Sequence, residues 1–355
     1  MPGRARREDA RLLRPPAAPR TDEPDMIVLS EADIRALVDP AEAVALAAEA
    51  FRLTAAGHGE ALRGDLRADD PRRGCLLLTG SAGPQTLTIK SNVHAYPDGP
   101  DAPRRWASLL TLWDWSRAEP RALISAGLFN EHRTAAGFAA GIDRLAAPAA
   151  ATATLFGAGR SAPLTALYLK IARPSLTRLH LVGRSPQRLA ALAATLAGEP
   201  ALADVELVTD ATPAEAVAAS EIVVTVTTSE EPVFPGKAVR PGTCIVLGGA
   251  NRPGAREADD DLIRRADIYL DARKDAFAKA GDLVRAQASG ALDPVRIRGE
   301  IGALPERALP FSPGADVTVF KSMGLPLQDV LLADALVTKA LARGLGTPVD
   351  LQGAP

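Results

Sequence analysis

One tight glycine turn constrains the fold of this chain more than any other stretch. In TATLFGAGRSAPLTALYL (152–169), a strand-length apolar run enters Gly157-Ala158-Gly159 and an apolar pattern with helical spacing leaves it. From Ala151 onward, strand-like runs fit at 152–156, 177–182, 203–208, 221–227, 243–247 and 267–271. Helical patterns fit between them at 160–172, 186–197, 212–218 and 258–265. Such alternation predicts an α/β domain built on a Rossmann-type, doubly wound parallel sheet. At the first strand–helix junction of that sheet, G-x-G-x-x-A is a dinucleotide-binding fingerprint. Gly157 permits the tight turn, Gly159 lets the backbone approach a pyrophosphate, and Ala162 lets the helix pack closely on the sheet. The pyrophosphate then lies at the helix N-terminus, where N–H groups and the helix dipole favour an anion. Gly157, Ala158, Gly159, Arg160 and Ser161 are therefore candidate cofactor-binding residues. In an alanine-rich chain the triplet alone is a weak signal, and the flanking alternation makes it specific.

The end of the second strand discriminates between dinucleotides. It reads LHLVGRSPQR (179–188), with no Asp or Glu for a ribose 2′-hydroxyl. Arg184, Ser185 and Arg188 suit a 2′-phosphate instead. NADP (NADPH) is thus expected ahead of NAD, the alternative being that Arg184 is a solvated loop charge stacking on adenine.

Residues 1–150 precede the turn. MPGRARREDARLLRPPAAPRTDEPD (1–25) is rich in Arg, Pro, Ala and Asp and lacks the apolar core of a secretory signal, so it reads as a disordered tail. Residues 29–57 read as a short helix, a break at Pro40 and a longer helix, with Ser30 and Asp39 suited to the two N-caps. Strand-like runs at 75–80, 86–93 and 107–115, then a helical pattern at 129–146, predict an α+β region with a largely antiparallel sheet. Alternation in TLTIKSN puts Thr88, Lys90 and Asn92 on one face. Beyond residue 275 the pattern is helical, with a strand-like run at 317–324 and a closing helix at 326–346.

Net charge is −2 and no long basic block follows the tail, which argues against nucleic-acid and membrane-surface partners. No apolar run has the length of a membrane span. Cys75 and Cys244 match no metal or redox spacing and read as reduced thiols of a cytoplasmic protein, and no metal site is expected. The apolar runs CLLLTG and ASLLTLWDW would expose apolar faces unless something covers them.

LTIKSN with Lys90, EHRTAAG with Arg133, LFGAGRSA, GANRPGARE and FKSMGLPLQDV occur in this order over about residues 27–346. As an ordered set they resemble the ornithine cyclodeaminase/mu-crystallin family. The resemblance implies a substrate and dimerisation domain built from both chain ends, 26–147 plus 315–355. It also implies an inserted dinucleotide-binding domain at 148–314 and a homodimer. Arg63 in EALRGDL, Lys90 and Arg133 take the substrate-holding positions, and Thr227, Gly249, Ala250, Lys321 and Gly324 fall to the cofactor. The chemistry agrees: a guanidinium holds an α-carboxylate bidentately, and a lysine among cations has a lowered pKa and can pass a proton.

One position departs from the family pattern. Where the cyclodeaminase branch carries a working Asp, LGGANRPGARE has Asn251, which cannot act as a base. Reduction of a small carboxylate-bearing imine, by a ketimine reductase or amino-acid dehydrogenase, is then the leading expectation, with Lys90 supplying the proton, Asn251 as the second catalytic candidate able to orient a water or an amino group, and an amino acid or imine as the substrate partner. The alternatives are an ornithine- or lysine-type cyclodeaminase that retains NAD, and a non-catalytic NADPH-binding protein. His94, Arg104 and Arg105 either recognise a second carboxylate or are solvated loop charges.

Overall fold

The computed structural model describes residues 26–67, 73–83, 85–95, 105–305 and 314–351. The tail at 1–25 and Arg104 lie outside the described residues. In chain order the elements begin with β1 (Met26–Leu29), α1 (Glu31–Leu37), α2 (Pro40–Ala55), β2 (Ala61–Arg67), β3 (Gly74–Ala82), β4 (Thr86–Ala95), β5 (Arg105–Asp114), β6 (Glu119–Ser125) and α3 (Ala126–Leu145). Then come β7 (Thr152–Phe156), α4 (Ala162–Ala172), β8 (Arg178–Val182), α5 (Pro186–Ala197), β9 (Glu206–Val208), α6 (Pro213–Ala219), β10 (Ile222–Thr225) and β11 (Cys244–Leu247). The remainder is α7 (Asp260–Arg265), β12 (Ala266–Leu270), α8 (Arg273–Lys279), α9 (Gly281–Ala288), β13 (Ile297–Glu300), β14 (Val317–Lys321), α10 (Pro326–Arg343) and β15 (Thr347–Val349). Two compact units result. One holds the described residues up to Asp39, Gly57–Arg133 and those from Leu325 on; the other holds Pro40–Ala56 and Thr134–Gly324.

The first unit is a seven-stranded mixed sheet ordered β15-β1-β6-β5-β4-β3-β2, antiparallel except where β1 meets β6. Strand alternation sorts its faces: Thr88, Lys90 and Asn92 are buried, while Ile89 and Val93 on the same strand are exposed. α10 covers the buried face with an apolar stripe that includes Val330, Ala333, Leu336 and Val337. Ser30 caps α1 through a reciprocal box with Asp33, as its sequence leads one to expect. β2 (ALRGDLR) and β6 (EPRALIS) lack a continuous apolar run, so only their ladder partners make them strands.

The second unit is an eight-stranded, all-parallel sheet ordered β13-β12-β14-β11-β10-β7-β8-β9. Strand order reverses between β7 and β10, so the glycine turn after β7 stands at the topological switch point. The sequence-derived boundaries at 147 and 315 differ from this division. β14 pairs with both β11 and β12, so 317–321 belong to the parallel sheet. α2 also joins this unit, because Phe51 packs edge-on against Phe320 of β14 with ring centroids 5.7 Å apart. Burial pushes the Cys244 thiol up to about 12, which leaves it inert. Among the described residues, no helix is long and apolar enough to cross a membrane, and no cluster of His, Cys, Asp and Glu is arranged to hold a metal.

Candidate functional site

In the first unit, ladder register carries Arg63 of β2, Leu78 of β3, Lys90 of β4 and Leu110 of β5 onto the same face. Lys90 is fully buried. Its Nζ donates to Asp329 Oδ2 at 2.5 Å and to Asn130 Oδ1 at 2.9 Å. Asn130 is oriented in turn: its Nδ2 donates to Asn92 Oδ1 at 3.2 Å and to Ser108 Oγ at 3.0 Å. Arg133 Nε forms an ion pair with Asp329 Oδ1 at 3.3 Å. Two cations, Lys90 and Arg133, thus share the Asp329 carboxylate, and Arg63 adds its charge to the field at Lys90. Burial holds the Lys90 ammonium down to about 7; Arg133 and Arg63 push the same way, and Asp329 opposes them. A group poised there can give or take a proton near neutral pH. α3 begins at Ala126, earlier than the pattern at 129 predicts, so Arg133 lies about two turns inside the helix rather than at its start. His94 is half-buried on β4, and Arg105 is exposed at the start of β5.

In the second unit, Gly157 has φ +116°, and a Cβ there would stand 2.9 Å from the Val226 carbonyl oxygen, so the turn requires glycine. A Cβ at Gly159, by contrast, would meet open space. α4 has Ser161 as its N-cap residue, with no side-chain cap bond and no acid in its first turn. This turn has the room and the polarity that a dinucleotide phosphate needs. Beyond β8, Arg184 and Arg188 are exposed, and Ser185 caps α5 by accepting from the Arg188 N–H at 3.3 Å. α5 likewise has no acid in its first turn.

The loops at the C-terminal ends of β10, β11 and β14 are bound by buried carboxylates. Glu257 Oε1 accepts from the Thr227 N–H at 2.7 Å and hydroxyl at 2.8 Å; Oε2 accepts from the N–H groups of Gly249 at 2.7 Å and Ala250 at 3.2 Å. Asp282 accepts from the Glu257 N–H at 2.7 Å and pairs with Lys321 Nζ at 3.1 Å, both side chains wholly buried. Asp271 Oδ2 accepts from the Met323 N–H at 2.6 Å and the Gly324 N–H at 2.7 Å. Thr227, Gly249, Ala250, Lys321 and Gly324 thus belong to one carboxylate-tied edge of the parallel sheet. Asn251 follows it, exposed, with its N–H bonded to the Gly249 carbonyl at 3.0 Å.

Sequence reasoning missed Asp329, Glu257, Asp282 and Asp271. Asp329 did leave a signal, because it stands on the α10 stripe with Leu332, Ala333 and Leu336 at the following core spacings. A lone acid there predicts a buried partner. The acids of the other unit are held by backbone N–H groups, which every sequence has, and Asp282 also by Lys321, 39 residues away, so no local pattern marked them.

A doubly wound sheet with a glycine turn at its switch point, joined to a mixed-sheet unit holding a buried lysine between arginines, defines a two-unit α/β protein of the dinucleotide-binding class. A profile of the ornithine cyclodeaminase/mu-crystallin family matches residues 25–344, and the chain belongs to that family. It is 32% identical to Delta(1)-pyrroline-2-carboxylate reductase of Paracoccus denitrificans over 63% of this chain and 70% of that protein. It is 30% identical to ketimine reductase mu-crystallin of Mus musculus over 65% of this chain and 68% of that protein. Its fold matches the Thermococcus litoralis Delta(1)-pyrroline-2-carboxylate reductase, solved with NADH and L-proline, with a TM-score of 0.81, 24% identity, and coverage of 91% of this chain and 100% of that one.

Proposed function

We propose that this protein is an NAD(P)H-dependent oxidoreductase that reduces a small imine bearing a carboxylate. The observation that carries the reading is the fully buried Lys90, hydrogen-bonded to Asp329 and Asn130, with Arg133 paired to the same Asp329 carboxylate. The names of the curated relatives, a pyrroline-2-carboxylate reductase and a ketimine reductase, support the same chemistry. In this reading the mixed-sheet unit binds substrate and the parallel-sheet unit binds the dinucleotide. Arg63 and Arg133 hold the α-carboxylate by charge-assisted hydrogen bonds. Lys90, as the ammonium, gives a proton to the imine nitrogen and is left neutral until it takes one from solvent. Bound cofactor supplies the hydride for the imine carbon. Gly157, Ala158, Gly159, Arg160 and Ser161 would hold its pyrophosphate, and the edge at Thr227, Gly249, Ala250 and Gly324 would hold the rest of the dinucleotide. Lys321, wholly buried, serves that edge by holding Asp282. The test is NADPH oxidation with Delta(1)-pyrroline-2-carboxylate and with 2-oxo acids plus ammonia or simple amines. Absence of turnover alongside tight NADPH binding would favour a binding protein instead.

The exposed Arg184 and Arg188, with no acid at the β8 end, support NADPH over NADH. A charge-assisted bond to the 2′-phosphate contributes about 1.5–3 kcal/mol, a preference of about tenfold or more. Titration with each dinucleotide should show that preference, and Arg184→Ala should erase most of it. Equal affinities in the parent protein would overturn the assignment.

A homodimer through the outer face of the mixed sheet is part of the same proposal. Leu62 and Leu66 of β2, Ile89 and Val93 of β4 and Leu109 of β5 point to that face and are 70%, 62%, 40%, 48% and 50% exposed. An apolar surface of that kind requires a cover in water. Light scattering at micromolar concentration should give the dimer mass, and Leu62→Lys with Leu109→Lys should give the monomer; a monomeric parent protein refutes the interface.

A further inference from the structure

We propose that Asp329 is a positioning residue for proton transfer, holding the Lys90 ammonium in its charged form and aiming its one uncommitted N–H. The role attached to Lys90 rests on the imine-reduction reading. The contact itself is geometric. Asp329 Oδ2 accepts from Lys90 Nζ at 2.5 Å, and the two side chains are 3% and 1% exposed. An ammonium has three N–H bonds. One goes to Asp329 and a second to Asn130 Oδ1 at 2.9 Å. The Asn130 amide cannot turn over, because its Nδ2 is engaged by Asn92 and Ser108. Two fixed acceptors therefore leave a single direction for the third hydrogen.

The charge balance points the same way. Among the described residues, the charged groups with the largest effects on Lys90 are Arg133, Arg63 and Asp329, and Asp329 is the acid of the three. Burial and both guanidiniums favour the neutral amine, which has no proton to give. The carboxylate opposes them, by its charge and by its hydrogen bond. Its other oxygen, Oδ1, is buried, faces Arg133 Nε at 3.3 Å and makes no hydrogen bond among the described residues. One carboxylate thus touches both the proton donor and a cation that binds the substrate carboxylate. In the step itself, the N–H bond of Lys90 breaks as an N–H bond forms on the imine nitrogen. Lys90 is then neutral, still donating to Asp329 and Asn130, with its lone pair where the proton left.

A purely structural Asp329 would shift the Lys90 titration as any adjacent carboxylate does, but would not set kcat through the direction of the proton. The test compares the parent enzyme with Asp329→Asn and Asp329→Glu in two measurements. The first is the pH dependence of kcat/KM for NADPH-dependent reduction of Delta(1)-pyrroline-2-carboxylate. Because the acid form is the active one, kcat/KM should fall as pH rises through about 7 in the parent. In Asp329→Asn that fall should move to lower pH by at least about one pH unit. Asp329→Glu should restore its position while kcat stays about tenfold low, since the longer arm misdirects the ammonium. The second is the pH dependence of Lys90 acetylation by acetic anhydride, read by peptide mass spectrometry, which needs no turnover. Its midpoint should fall in Asp329→Asn in the same way. Unmoved midpoints in a folded variant overturn the inference, as does an Asp329→Glu enzyme with the parent kcat. A parent enzyme that reduces no imine, with the acetylation midpoint still shifted by Asp329→Asn, overturns the imine-reduction reading and leaves Asp329 in control of Lys90. If the amide variant fails to fold, Asp329→Ser removes the charge with less crowding and gives the same two measurements.

Discussion

Replacing Lys90 with methionine is expected to lower kcat for imine reduction by about 10²–10⁴-fold, the usual contribution of a positioned general acid. Methionine keeps most of the buried volume and removes the proton. The fall in kcat/KM above about 7 should vanish with the lysine, leaving a flat profile in that range. NADPH affinity should stay within about twofold, because every candidate dinucleotide contact lies in the parallel-sheet unit and Lys90 does not. The substitution also strands the Asp329 carboxylate in a buried site. Stability should therefore fall by about 3–5 kcal/mol, and the kinetics should be measured well below the melting temperature. Arg133 keeps its ion pair with that carboxylate, which limits the loss. A variant with near-normal kcat and an unchanged pH profile would show that Lys90 is only a structural cation.

Ornithine and lysine are expected to yield no steady ammonia. Cyclodeamination needs a base for the attacking amine, and the position where the cyclodeaminase branch carries an acid holds Asn251. It stands exposed just past β11, at the C-terminal edge of the parallel sheet. An amide can orient a water or an amino group, but it has no useful basicity. The missing base is worth about 10²–10⁴-fold, so the reaction should be suppressed rather than trimmed. Glu257, the acid of the same loop, is not placed to substitute, since it is bound to the N–H groups of Thr227, Gly249 and Ala250 and is wholly buried. A coupled ammonia assay decides the matter. Ammonia release from either diamino acid, with no net change in cofactor absorbance, would restore the cyclodeaminase.

What the sequence by itself determined was everything with a local cause. The inner strands of the parallel unit were readable because they are buried on both faces and so are nearly all apolar, as in CIVL of β11, while edge strand β13 (IRGE), half-buried and polar, left no such signal. The glycine turn was readable because Gly157 answers a local steric demand, and Lys90 because alternation set it among Thr88 and Asn92. The tertiary structure alone decided the rest. β2 and β6 are strands through their partners, β14 belongs to the parallel sheet because it fits between β11 and β12, and α2 joins that unit through the burial of Phe51. The same holds for charge. Lys90 and Asp329 are 239 residues apart in the chain and 2.5 Å apart in the fold. A proton affinity is set by what lies within a few ångströms, and no local pattern carries that distance.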